Sequence, residues 1–285
     1  MKVKLALVIS LSLIIFSCKK QNIRLEQTDF KIKTIRTILD SLNFLYDGDK
    51  LIKMGNEEFF YDHHGQLKRS TNVVISSPIT RVIAGKKSIY FYRYLYAYSY
   101  HWEQNKVKRI QIDSLIVERT EDGNVSKEKR FVNSPVCEFF YKDDRIDSLS
   151  YIKYSSSEPS YHSRALNYNE KGNIIQAKSR SLSKEDKWNP DLHPELITTS
   201  YESYDDKLNP YQIIYENLGT LTPSMFELNY SANNPLSSWV LSSYRFESVI
   251  SVNNTYQYNS NGLPILIKTD REDFPLPNIF IEYHE

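Results

Sequence analysis

The chain has 285 residues, long enough to bury a sizeable core, with 36 Lys and Arg against 35 Asp and Glu. That balance offers no basic surface to gather phosphates, so a nucleic-acid partner is not expected. With 22 Tyr, 13 Phe and only 8 Gly, the composition is not that of a disordered chain, and it favours strands over helices.

The N-terminus reads as an export address. Lys2 and Lys4 precede an uncharged, mostly apolar run over 5–16, and Lys19, Lys20, Gln21 and Asn22 follow abruptly. A charged start, a short apolar core and a small residue before the cut predict a secretory signal over 1–17. The run falls short of the roughly 20 residues that span a bilayer. Ile15-Phe16-Ser17-Cys18 resembles the relaxed lipobox of Bacteroidota lipoproteins. The resemblance implies cleavage before Cys18, a diacylglycerol on its sulfur, an acylated amino terminus and stable attachment to a membrane. Residues 18–30 then form a lipidated polar tether. Lys19, Lys20, Gln21 and Asn22 include none of the acidic residues that some surface-exported lipoproteins carry just after this cysteine, so an outer-membrane lipoprotein is expected with periplasmic and cell-surface display both open.

Residues 31–285 read as one domain built from hairpins. Over 31–45, Ile32, Ile35, Leu39 and Leu42 fall at helical spacing, but Ile38 and Phe44-Leu45 broaden the stripe and no C-cap ends it. A strand is expected there, with a short helix as the alternative. Beyond it one unit recurs: a strand ending in Tyr, a few polar turn residues often with Gly, then an aliphatic residue opening the next strand. Copies span 46–51, 61–67, 141–146, 168–174, 204–208, 230–236 and 258–263, and 280–285 reads as a closing strand. Asp and Asn bond their own backbone two residues on, and Gly supplies positive φ, so each copy predicts an antiparallel hairpin. Unequal spacing argues for hairpins of unequal length rather than a solenoid. The expected fold is all-β: an antiparallel sheet of successive hairpins, strongly curled or closing to a barrel-like form. Trp239, Pro264, Pro275 and Pro277 have no place in the unit.

This unit resembles YD (Rhs-type) repeats. Together with the lipobox, it makes the chain resemble Bacteroidota outer-envelope lipoproteins of unknown function described as having a porin-like fold. That resemblance implies a sheet curling towards a barrel and no established activity.

Tyr90, Tyr92, Tyr94, Tyr96, Tyr98 and Tyr100 occupy every even position of one segment, which sets six rings on one face of a long strand. Three readings compete: a platform for a carbohydrate or aromatic ligand, the lining of a curled sheet, and cross-strand packing. Trp102 lies just past one end of that face. Segments 114–119 and 128–132 mix charge into both faces, which argues against a membrane-spanning barrel and for a soluble sheet or small barrel. With Cys18 acylated, Cys137 has no disulfide partner and reads as a buried small hydrophobe. Segment 183–196 reads as a loop, with Trp188 a second contact candidate.

No zinc signature, nucleophile elbow or phosphate loop is present, so no catalytic residue, metal ligand or cofactor is expected. Asp62-His63-His64, Asp143-Asp144 and Asp205-Asp206 fall in the recurrent turns and read as turn chemistry. The expected function is a lipid-anchored envelope binding or scaffold protein rather than an enzyme. Its partner would be a glycan or envelope polymer, met through the tyrosine face. A structural lipoprotein docking an envelope protein is the alternative, and an envelope hydrolase the third reading.

Overall fold

A computed structural model of the chain describes residues 30–38, 40–76, 78–83, 86–121, 124–130, 133–154, 159–182, 195–226, 228–242, 248–271 and 276–284. The export signal over 1–17, Cys18, the tether through residue 29, and Trp188 lie outside the described residues.

The strands are β1 (Ile32–Arg36), β2 (Ser41–Asp47), β3 (Lys50–Met54), β4 (Glu57–Tyr61), β5 (Leu67–Ile75), β6 (Ile79–Ile83), β7 (Lys86–Glu103), β8 (Lys106–Glu121) and β9 (Asn124–Arg130). They continue as β10 (Ser134–Lys142), β11 (Arg145–Tyr154), β12 (Pro159–Tyr168), β13 (Ile174–Leu182), β14 (Glu195–Leu208), β15 (Asn233–Ser242), β16 (Ser248–Tyr258), β17 (Pro264–Arg271) and β18 (Ile279–Tyr283). Between β14 and β15 stand helix α1 (Pro210–Leu218) and a 3-10 turn (Pro223–Met225).

All pairings are antiparallel, and the sheet closes where β1 meets β18, with Ile35 opposite Ile281 and Arg36 opposite Phe280. β5 and β6 follow one another along the same side of β7, as β9 and β10 do along β8. The circumference is therefore a closed barrel of 16 strands, larger than the small barrel the sequence suggested. Its wall is lopsided. β3 and β4 have 5 residues each, whereas β7 has 18 and β8 has 16, about 60 Å and 53 Å at 3.3 Å per residue. Past the end of β4 the long strands carry on as a four-stranded flap of β6, β7, β8 and β9.

Residues 31–45 take the strand alternative. A bulge between Ile32 and Thr34 turns both Ile32 and Ile35 inward, which is how a spacing of three arises on a strand. Hairpins form at 46–51, 61–67, 141–146, 168–174 and 258–263 as expected, and Pro264 opens β17 within the last of them. The copies at 204–208 and 230–236 are not hairpin turns. β14 runs on through Leu208, and Asn209 then caps α1 by accepting the Tyr211 N–H at 3.0 Å. Pro210 fills the first helical position and Gly219, at φ 67, ends the helix by donating to the Tyr215 carbonyl. Glu195 and Leu196, placed in a loop by the sequence, open β14.

The segment from Asn209 to Ser231 folds into the barrel. Ile213, Ile214, Leu218, Leu221, Met225 and Phe226 are all buried, and Phe226 packs on Phe139 of β10 and Tyr151 of β11. A barrel of 16 strands otherwise leaves a channel; here the chain fills its own lumen. Outward positions of the wall mix polar and apolar residues: Glu58, Arg69, Glu138, Lys178, Thr255, Lys268 and Glu282 are exposed, and so are Leu45, Phe60, Phe140, Ile175 and Phe280. On a lipid-facing wall each mid-strand Lys or Arg would cost roughly 2–4 kcal/mol.

The recurrent Tyr explains the rim where the tight turns gather. Four of them donate the hydroxyl to the carbonyl that opens the neighbouring strand: Tyr61 to Leu51 at 2.6 Å, Tyr141 to Val107 and Tyr168 to Ile146 at 2.9 Å, and Tyr204 to Ile174, whereas Tyr258 donates to the Asp205 carboxylate. Tyr256 to Pro235 and Tyr283 to Pro264 repeat the pattern. Burial pushes the Tyr168 and Tyr204 hydroxyls up to about 12, so they stay protonated donors. Tyr168→Phe leaves the Ile146 carbonyl unpaired at a half-buried site. It is expected to lose about 1–2 kcal/mol in urea unfolding, and an unchanged midpoint would remove the rim contact as a stabilising element.

Candidate functional site

All six tyrosines of the alternating row lie on β7 and share one face. Opposite them on β5 stand Ser70 (against Tyr98), Asn72 (against Tyr96) and Val74 (against Tyr94). On β8 they face Ile112, Leu115, Val117, Arg119 and Glu121. The row crosses two environments. Tyr98 and Tyr100 are buried in the barrel, whereas Tyr90, Tyr92, Tyr94 and Tyr96 are half-buried on the flap.

The rings mostly pack on one another. Tyr96 and Tyr98 stack at 5.9 Å and 8°, Tyr94 and Tyr96 at 6.4 Å and 21°, while Tyr90 and Tyr92 meet edge to face at 85°. The Arg119 guanidinium lies 4.9 Å from the Tyr90 ring centre. Ring faces are thus largely occupied within the flap, and what it presents is ring edges, hydroxyls and the charges of Arg119, Glu121, Glu128 and Arg130. Ser76 holds the break between β5 and β6 onto β7: its N–H donates to the Tyr92 carbonyl at 2.8 Å and its hydroxyl accepts the Tyr92 N–H at 2.9 Å.

Trp102 does not join this surface. It stands opposite the buried Val107, where its indole N–H donates to the Leu67 carbonyl at 2.7 Å and its ring lies against Gly219. It seals the end of α1. Trp188 and Cys18 lie outside the described residues.

The buried end of the row meets a carboxylate that the sequence did not single out. The Tyr100 hydroxyl lies 2.9 Å from Ser70 Oγ, which donates to Glu57 Oε1 at 3.0 Å. Glu57 Oε2 accepts from Ser224 at 2.8 Å and Thr222 at 3.2 Å, both on the inserted segment. Glu57 is 2 % exposed, and burial raises its pKa to about 6 against the opposing pull of these three hydroxyls. From the far wall Arg164 of β12, also buried, donates to the carbonyls of Phe226 at 2.6 Å and Leu228 at 3.3 Å. An acid on one side and a base on the other therefore grip the same segment. The sequence offered one signal for Glu57: it sits two residues before Phe59, so a strand that buries Phe59 must also bury Glu57.

A recess of about 380 Å³ touches Cys137, Tyr151 and His162, whose rings stack at 5.1 Å. Burial pushes the Cys137 thiol well up, leaving it a packing group rather than a nucleophile. Among the described residues no group of three or more His, Cys, Asp or Glu is placed to hold a metal ion.

No family model matches the chain, and no curated protein matches it. Among solved structures it is similar to a porin-like protein from Bacteroides vulgatus, at 11% identity over 89% of this chain and 98% of that one, with a TM-score of 0.43. It is also similar to a porin-like protein from Bacteroides uniformis, at 8% identity over 89% and 97%, with a TM-score of 0.36.

Glu57 carries a pH signature. Its folded pKa of about 6 lies above the ordinary value of 4.5, so this group destabilises the fold as pH rises through 4.5 to 6, by about 2 kcal/mol at pH 8. Glu57→Gln removes the charge and keeps an acceptor. It is expected to stabilise the chain by roughly 1–2 kcal/mol at pH 8 and by nothing comparable at pH 4.5. Urea unfolding at the two pH values checks this; an equal effect at both would dissociate Glu57 from the pH dependence.

Proposed function

We propose that this chain is a lipoprotein of a bacterial outer envelope that binds a glycan or envelope polymer through its flap. Acylated Cys18 anchors it and residues 19–30 tether the barrel. The observation that carries the reading is the tyrosine row, rooted in the core at Tyr98 and Tyr100 and rising half-buried onto a flap at the end away from the tight-turn rim. A ligand surface benefits from rigid side chains fixed by their neighbours, and this row is fixed at its base by Ser70 and along its length by ring packing. Hydroxyls, amide and charged groups on the same face suit the hydroxyls of a sugar chain, with contact by hydrogen bonding more than by ring stacking. The filled lumen favours binding over conduction.

A second reading, docking of a partner protein, draws on the flap's other face, where Ile75, Ile89, Phe91 and Val125 are exposed.

Titration of the protein with a panel of envelope glycans, followed by Tyr and Trp fluorescence, tests the first reading. Tyr92→Ala and Tyr94→Ala are each expected to weaken the response by about fivefold, near 1 kcal/mol; a folded sample that answers to no glycan would sink it. Cys18→Ala should abolish lipid labelling and release the protein from membranes.

A further inference from the structure

The inward face of the wall changes character at one level on strand after strand. On β12 Leu166 and Arg164 are buried, while His162 and Ser160, next along the same face, are half-buried. β13 passes in the same way from Ala177 to Ser179, β5 from Ser70 to Asn72, β7 from Tyr98 to Tyr96, and β17 from Ile267 to Thr269. Pairing sets these residues on the inner face: Leu166 opposite Ala177, Ala177 opposite Thr199, and Asn254 opposite Thr269. In a closed barrel an inward side chain meets water only through the lumen. The inserted segment therefore fills the lumen up to this level and acts as a floor, with a water-reached chamber beyond it. One ladder of rings climbs from floor to wall: Phe226 packs on Tyr151 at 5.0 Å, and Tyr151 stacks on His162 at 5.1 Å.

The chamber wall carries hydroxyl and amide groups, several held in place by their neighbours. Asn254 accepts from Thr269 at 2.8 Å and donates to the Pro235 carbonyl at 3.0 Å, and Ser160 Oγ lies 2.8 Å from His162 Nε2. From Arg164 to Ser160 the wall rises about 13 Å along the strand. In the circuit of 16 strands β16 stands half-way round from β7, so Asn254 faces the tyrosine row across the mouth. The row itself enters the chamber unbroken. β5 and β7 pair without a bulge from Arg69–Ser99 to Ile75–Arg93, which keeps Tyr94 and Tyr96 on the inner face with Tyr98.

We propose that this chamber receives the end of a sugar chain, with the sugars that follow lying along the tyrosine row of the flap. The inference rests on the glycan reading above and adds which part of the glycan is held and where. A floored chamber is a dead end: a chain running past it lies across the mouth, whereas a terminus can enter. A concave wall of fixed hydroxyl and amide groups surrounds a terminal sugar with donors and acceptors on several sides, which the flap alone does on one.

Peptidoglycan glycan strands and O-polysaccharide, each cut to a series of lengths, are the probes for the full chain. At constant mass of sugar, the amount of protein bound should rise in proportion to the number of chain ends. Ser179→Cys, on the chamber wall, should react with a small methanethiosulfonate far faster than the buried Cys137, and a bound probe should slow that reaction about fivefold. Ser179→Trp should weaken binding about tenfold, while Lys178→Trp, on the outer face, should leave it unchanged. The proposal is overturned if Ser179→Cys is as inert as Cys137, or if binding per unit mass is the same at every chain length. It is equally overturned if Ser179→Trp, as protease-resistant as the unaltered chain, binds as before. Any of these results beside a fluorescence response that Tyr92→Ala weakens leaves the flap reading standing; silence towards every glycan removes both.

Discussion

The tyrosine hydroxyl that reaches the carbonyl of a neighbouring strand is the contact on which the barrel's tight-turn rim depends. Each bond joins the end of one strand to the start of the one before it, as Tyr61 does with Leu51 and Tyr168 with Ile146. The recurring unit therefore works across units: the Tyr of one hairpin engages the aliphatic residue of its neighbour. Only the rim has to match, and the strands between successive rim contacts are free to differ in length. That freedom is what allows β3 to be 5 residues long and β7 to be 18 within the same wall.

The rim also dictates what must happen inside. A closed sheet of this circumference encloses more space than its own side chains fill, and the connection between β14 and β15 supplies the missing volume. Its attachment uses polar groups where an apolar contact would have served. Glu57 and Arg164 hold the inserted segment by hydrogen bonds that fix its direction and register, at the cost of two buried charges. Shape complementarity alone leaves a helix such as α1 free to rotate; Thr222, Ser224 and the Phe226 carbonyl do not.

Much of this was legible in the sequence, and the failures have local causes. Alternation placed the six tyrosines correctly on one face, because period two is unambiguous over so long a run. Turn chemistry located five hairpins, because Asp, Asn and Gly act over a few residues. The copies at 204–208 and 230–236 misled because they bracket α1, whose own signals, Asn209, Pro210 and Gly219, were present and outweighed by the repeat. Glu57 and Arg164 could not be recognised as a pair of grips, since nothing local tells which strand faces which part of an inserted segment. Tyr98 and Tyr100 differ from Tyr92 and Tyr94 only in how far the flap rises, which is set by the short length of β4 on a neighbouring strand.

The seam between β1 and β18 has a kinetic consequence. Ile35 finds Ile281 only after nearly the whole chain is available, so the last hydrogen bonds to form close a loop of almost the full domain. Every other wall pairing is between strands close in sequence and can assemble progressively, hairpin by hairpin. Until the seam zips, the sheet is an open ribbon, and the inserted segment between β14 and β15 can enter from the side rather than through a finished rim. Folding of this chain is thereby ordered as a wrapping, with a fast local stage and one slow closure, and any change that delays the seam prolongs the time its strand edges stand open.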